Sequence, residues 1–292
     1  MLDFFQVAWQ NPFILVSLAG AILACSACGV VGTFIVARRI TYIAGAIAHC
    51  VLAGLGAAYY LQRVHNLTWC NPMLGAIAAA LIAAGIIAWV SLRANQREDT
   101  VIGAIWATGM AIGVMFIRAT PGANPELMSR LFGNIMLITA SDLYLIGALN
   151  LAIIIIVSLF YKQLFAVCFD EQFAKAQGLN AEAYYILLLM LTALTVVLLA
   201  SVVGIIMVIA LITLPVAISN LFLGKLWKIM LLSVALSIFF TITGFWLSYD
   251  LEFPPGATTI VIAGFVYLLM LAVKAFLPKR KPAFKTLKIK QS

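Results

Sequence analysis

The sequence predicts an all-α, polytopic membrane protein. Of its 292 residues, 65% are hydrophobic and only 10% are charged, and the mean hydropathy is +1.12. A soluble domain is about half apolar and about a quarter charged, so this chain lacks the polar surface to cover itself in water. The same composition excludes a disordered chain. A membrane-crossing helix needs about 20 mostly apolar residues, and the length divides into about eight or nine such helices. That leaves no room for a soluble domain, so residues 1–292 are expected to form one integral membrane domain.

Nine apolar segments can be drawn, at about 12–37, 42–62, 72–92, 101–118, 143–161, 184–203, 205–223, 227–249 and 257–277. The first carries Cys25 and Cys28, and the second carries His49. Small residues stud the second and third (Gly45, Ala46, Ala48, Ala53, Gly54; Gly75, Ala76, Ala79), which permits close helix packing. The stretch 184–223 is ambiguous. Gly204 either separates two helices, or the run holds one helix and a re-entrant piece. Pro215 removes a backbone hydrogen bond and is expected to kink its helix.

The connections differ in character. Residues 119–142 contain Pro121-Gly122-Ala123-Asn124-Pro125 and an apolar stretch expected to lie along or dip into the membrane. Residues 162–183 alternate charged and apolar residues at helical spacing up to Gly178, which suits a helix C-terminus. They are expected to form a short amphipathic helix, either a partner-docking element or a plain interfacial one. Asp250-Leu251-Glu252-Phe253-Pro254-Pro255-Gly256 reads as a turn, solvated or facing a cation or partner. The tail 278–292 is basic and drawn to anionic lipid headgroups. Met1-Leu2-Asp3-Phe4-Phe5 has no basic n-region and is expected to be an uncleaved start.

The net charge of +8 comes from 18 Lys and Arg against 10 Asp and Glu. In a membrane chain this balance records orientation and is no sign of nucleic acid. With the N-terminus outside, only Arg63, Arg118 and Arg130 fall on the outer side, and the other 15 of the 18 basic residues fall inside. The expectation is a multi-pass protein of the cell (inner) membrane, with its N-terminus outside and its C-terminus cytoplasmic.

Signals for catalysis are missing. The chain has no G-x-x-x-x-G-K-[ST] run and no H-E-x-x-H, so it binds no ATP through a P-loop and shows no zinc-protease motif. No cofactor is implied, and no enzyme activity is expected of this chain. The five cysteines are an odd set, three of them inside apolar segments, and form no disulfide framework. His49 is the informative polar residue. An ionisable group in mid-span is costly and marks a functional position, and imidazole is the commonest metal ligand. It is either a pathway contact for a metal ion or a packing histidine bonded to a backbone carbonyl. Cys28 lies ten residues before Arg38, and His49 lies ten residues after Arg39. At 1.5 Å per residue both sit about 15 Å from the inner edge, so Cys28 and its helical neighbour Cys25 are candidate metal contacts beside His49. Free cysteines are also commonly plain buried hydrophobes.

Six blocks in order carry a family resemblance: Arg38-Arg39-Ile40-Thr41 through His49; Arg97-Glu98-Asp99-Thr100-Val101-Ile102-Gly103; Leu131-Phe132-Gly133-Asn134-Ile135 followed by Asp142-Leu143; Phe169-Asp170-Glu171 through Gly178-Leu179; Val203-Gly204 through Leu214-Pro215; and Asp250 through Gly256. Along nearly its whole length the chain resembles the permease subunits of ABC-type zinc, manganese and iron importers, the ABC-3 family. The resemblance implies the helical fold of cobalamin-type (type II) importers and a homodimer with a pathway at or near the subunit interface. It also implies two cytoplasmic ATP-binding subunits, an extracytoplasmic solute-binding protein, and a transported Zn, Mn or Fe ion. Residues 162–180 would be the cytoplasmic coupling region, with Asp170, Glu171, Ala174 and Gly178 at the ATPase. Many family members carry an aspartate four residues before the histidine, where this chain has Gly45. Rival readings are a permease for chelated iron or cobalamin, an ion-coupled secondary transporter, and an intramembrane enzyme.

Overall fold

The structure is a computed structural model and describes residues 11–67, 69–93, 98–121 and 140–276. Among these the chain forms eleven helices and no strands: α1 (Pro12–Arg38), α2 (Thr41–Val64), α3 (Pro72–Arg93), α4 (Glu98–Ala119), α5 (Ala140–Leu159), α6 (Tyr161–Phe169), α7 (Glu171–Ala176), α8 (Ala181–Val203), α9 (Ile205–Phe222), α10 (Leu226–Leu251) and α11 (Pro255–Phe276). Nine are long and apolar enough to cross a membrane, and α6 and α7 are the exceptions. The chain is thus a polytopic all-helical membrane protein. Outside water, a helix is favoured because it satisfies its own backbone polar groups.

Local chemistry explains the boundaries. Gly204, at φ 88°, separates α8 from α9, so the ambiguous apolar run is two helices. Arg39 adopts φ 62° after α1. Its N–H donates to Val36 and that of Ile40 to Ile35, which is the paired closure of a Schellman motif. Contrary to the expectation of one amphipathic helix, 162–176 is two short helices. Asp170 breaks the run in extended conformation, and its carboxylate accepts from the Phe173 N–H, capping α7. Gly178 follows at φ 79°, closing α7 with bonds from Gly178 to Lys175 and from Leu179 to Ala174. A side chain there would meet no neighbour, so the left-handed backbone is what calls for glycine. In α9 the helix runs on through Pro215.

α8 and α1 form the centre. α8 packs on α1, α2, α3, α5 and α9, and α1 packs on α5, α8, α9 and α10. The buried face of α1 includes Ala21, Ala24, Cys25, Cys28, Val31 and Phe34. Several hydroxyls inside the bundle, Thr192 and Thr195 among them, donate to the carbonyl four residues back. Such bonding is the usual fate of Ser and Thr in spanning helices. Polar contacts also tie helices together. Ser26 on α1 donates to Asn150 Oδ1 on α5 at 2.9 Å, and Ser233 on α10 donates to Ser219 on α9 at 3.1 Å.

Close backbone packing surrounds α2. A Cβ on Gly54 would run into the carbonyl oxygen of Gly75 on α3, and one on Gly75 into the carbonyl oxygen of Gly54. On the other side, Gly109 and Gly113 of α4 face Cys50 and the Leu52–Ala53 backbone. Small residues let helix backbones approach where no hydrophobic effect drives them together. α2, α3 and α4 therefore form a tight layer, with α2 between the other two. The expectations placed on 1–10, on 122–139 (with the Leu131–Ile135 block) and on the tail 278–292 lie outside the described residues.

Candidate functional site: the His49 face and the α6–α7 pair

His49 lies in the middle of α2 and is only partly buried. Its imidazole stacks on the indole of Trp106 from α4, with centroids 4.8 Å apart and an interplanar angle of 20°. One turn earlier, Gly45 also faces Trp106. A Cβ there would lie 3.1 Å from Ile209 Cδ1 of α9 and 3.5 Å from the Trp106 ring. The imidazole is thus held between α2 and α4, and the Gly45 position, where the family resemblance leads one to expect a carboxylate, faces apolar and aromatic groups of α9 and α4. Among the described residues, no three His, Cys, Asp or Glu side chains come together to hold a metal ion. A single imidazole beside an aromatic plane offers a cation one nitrogen ligand and one π face. That is a sparser ligand set than a closed metal site offers, and conduction requires binding weak enough to release. Trp106 was not legible in the sequence as the partner of His49. No periodicity links positions on two separate helices.

The structure does not bring the two cysteines to His49. Cys25 and Cys28 are fully buried and face α10. The Cys25 thiol lies 3.1 Å from Thr241 Oγ1 and 3.6 Å from the Ser237 carbonyl, and Cys28 lies against Ser237. Equal depth along neighbouring helices gave the sequence expectation. The direction of each side chain around its helix decides otherwise, and α1 and α2 touch each other little.

A second constellation sits at the opposite end of α1 from its N-terminus. Arg38, at the last position of α1, donates to the Val167 carbonyl of α6 and to Glu171 Oε2 of α7 at 2.8 Å. Its guanidinium also lies 4.6 Å from the centroid of the Tyr185 ring on α8. Glu171 is bound on its other oxygen by Lys175 at 3.0 Å, one turn on. These cations, Arg38 first, hold the Glu171 carboxyl below its ordinary value. Nearby, burial pushes the Cys168 thiol up to about 12. Tyr185 reaches Ser91 near the end of α3 at 3.4 Å. One arginine therefore fixes α6 and α7 to the ends of α1 and α8. The remaining predicted coupling residues divide by role. Asp170 is an exposed cap, Ala174 is fully buried against Val167 and Ala181, and Gly178 closes α7. Phe173, 55% exposed on α7, is a surface group that sequence reasoning passed over.

At the end of α10, Ser248 donates to the Phe253 carbonyl, and Glu252 takes a left-handed conformation at φ 56°. The 250–256 turn is therefore a tied reversal into α11.

Comparison with known proteins places this architecture. The model of the ABC-3 family, described as the ABC 3 transport family, matches residues 10–274. A probable metal transport system membrane protein of Chlamydia pneumoniae is 40% identical over 272 residues, covering 93% of this chain and 91% of that protein. The manganese transport system membrane protein MntC of Listeria monocytogenes is 30% identical over 267 residues, covering 91% and 92%. Among solved structures, PsaBC from Streptococcus pneumoniae in complex with Fab superposes with a TM-score of 0.82 at 28% identity, covering 93% of this chain and 95% of that one. An inward-facing putative metal-chelate type ABC transporter shares the fold, with a TM-score of 0.70 at 15% identity over 92% of this chain and 88% of that one. With nine candidate spans in one helical bundle and a family match over nearly its whole length, the chain belongs to the ABC 3 transport family, as a transport permease.

Proposed function

We propose that the chain is the membrane-spanning subunit of an ATP-driven importer of a divalent transition metal ion (Zn, Mn or Fe), working as a homodimer with two cytoplasmic ATP-binding subunits and an extracytoplasmic solute-binding protein. The observation that carries the reading is His49, a half-buried imidazole in mid-span, in a chain of a transport family. The roles of relatives, metal transport and manganese transport, favour a metal ion as cargo and put manganese first. In this reading the N-terminus is outside and the C-terminus cytoplasmic. The solute-binding protein docks over 119–142 and 250–256 and releases the ion to a path past His49. Cys25 and Cys28, turned to α10, serve helix packing and not the ion. α6 and α7 meet the ATPase, with Glu171 and Phe173 at the contact. ATP-driven movement of this pair then shifts a bistable helix packing between outward and inward access.

Reconstitution with the partner ATPase and binding protein tests this. ATP-dependent uptake of radioactive Zn, Mn or Fe into vesicles is expected, lost on removal of the ATPase. Uptake of an iron chelate or cobalamin in place of free ions would move the chain to the chelate class. Ion uptake without ATPase would mark a secondary transporter.

A further inference from the structure

We propose that the groove between α6 and the α9–α10 turn is a binding site for an anionic phospholipid of the cytoplasmic leaflet. The leaflet rests on the orientation given above, whereas lipid binding itself does not. The groove has a volume of about 490 Å³ and is lined by Tyr161, Lys162, Phe165 and Phe169 from α6 and by Lys225 and Trp227 from the turn and the first residues of α10.

Its depth follows from the chain. Tyr161 stands two residues after the end of α5 at Leu159, and Lys225 separates the end of α9 at Phe222 from the start of α10 at Leu226. Three spans therefore reach their common boundary here, where lipid headgroups lie.

Its charge is one-sided. Lys162 and Lys225 are exposed and have no acidic partner among the described residues. The nearby carboxylates are occupied, Glu171 by Arg38 and Lys175 and Asp170 by the cap of α7. Lys228 adds a third cation, 5.4 Å from the Trp227 ring centroid.

Its walls are apolar. Phe165 is 40%, Phe169 45% and Trp227 49% exposed. A free anion would satisfy the lysines and leave these rings in contact with water. A lipid satisfies both, with phosphate at the lysines and acyl chain along the rings. Basic pockets between spans on the cytoplasmic side suit anionic headgroups, and aromatic side chains favour the membrane interface. Because α6 continues into α7, a lipid seated here ties the inner helix pair to the bilayer.

The test uses the purified full chain in phosphatidylcholine nanodiscs containing brominated phosphatidylglycerol. Trp227 emission is read as the difference between the wild type and Trp227→Phe. Saturable quenching at low phosphatidylglycerol content is expected, with brominated phosphatidylcholine far weaker. One lysine near an anionic surface is worth about fivefold in affinity. Lys162→Gln with Lys225→Gln should therefore weaken the preference about 25-fold. The two Lys→Arg changes should retain it, which guards against misfolding as the cause. Arg93→Gln, at the end of α3 outside the groove, should leave it unchanged. Equal quenching by the two lipids, an unaltered preference in the Gln pair, or displacement of the lipid by inorganic phosphate would overturn the site. Displacement by the purified ATPase subunit would overturn it too, and would assign the groove to that partner. None of these results bears on ion transport, so the two proposals fail separately.

Discussion

The His49 imidazole on α2 stacks on the Trp106 indole of α4 at a centroid separation of 4.8 Å. The stack shields one face of the ring, and the glycine-mediated contact holds α4 close to α2 beside it. An ion meeting this imidazole therefore meets an oriented ligand. Under the proposed pathway, His49→Ala should cut ATP-dependent metal uptake by about tenfold or more, since losing even an outer-shell partner of a metal site costs that much. Unchanged uptake in vesicles would remove His49 from the path.

Trp106→Ala separates orientation from ligation. Aromatic pairs contribute about 0.5–1.5 kcal/mol, so uptake should fall by only about two- to tenfold. Trp106→Phe, which keeps an aromatic face, should recover most of it. A loss as deep as that of His49→Ala would make Trp106 a direct wall of the path and not an orienting group.

Arg38 joins four helices, and no other side chain supplies its geometry. Its planar fork serves two acceptors while lying against Tyr185, which an ammonium cannot do. Arg38→Lys should therefore behave nearly as Arg38→Ala. Both should leave the permease folded but lower its ATP-driven uptake per ATP hydrolysed. The check is the ratio of uptake to ATPase activity in the reconstituted complex. A ratio unchanged in both variants would show that the clamp carries no coupling.

The sign of the pH effect follows from Glu171. Its carboxyl is held below its usual value chiefly by the Arg38 hydrogen bond. A depressed carboxylate contributes stability that is present above the unfolded value, about 4.3, and is lost as pH falls through the lower folded one. The clamp should thus be intact across neutral and mildly acidic pH. The difference in melting midpoint between wild type and Glu171→Gln should be constant from about pH 7 to pH 5 and shrink below about pH 4.3. A difference that shrinks already near pH 6 would contradict this.

Much of the bundle was legible because spanning helices are written in hydropathy. All nine apolar segments coincide with candidate spans within a few residues, and Gly178 announced the close of α7. Less visible were relations set by rotation about a helix axis. Cys28 and His49 share a depth, yet the cysteine turns to α10 and the histidine to α4. Asp170 also escaped notice as a break, because a carboxylate reads equally well inside an amphipathic helix and at its cap. The Arg38 clamp had only a faint signal, a basic pair in a block shared with the family.

Packing supplies the last prediction. Gly54 and Gly75 face each other backbone to backbone, and a Cβ on either strikes the other's carbonyl oxygen. A carbonyl cannot swing aside as a flexible side-chain end can, so the helices themselves must part. Gly54→Ala should destabilise the permease by about 1–3 kcal/mol, the range for overpacking. Gly54→Val should do worse, and Gly75→Ala should match Gly54→Ala. Gly103 on α4 and Gly264 on α11 have open space where a Cβ would lie. Alanine at either position removes only backbone freedom in a helix and should be neutral or slightly stabilising. Thermal unfolding of the four alanine variants in detergent, followed by circular dichroism, orders them. If Gly103→Ala proved as damaging as Gly54→Ala, close approach of α2 and α3 would not be what these glycines provide.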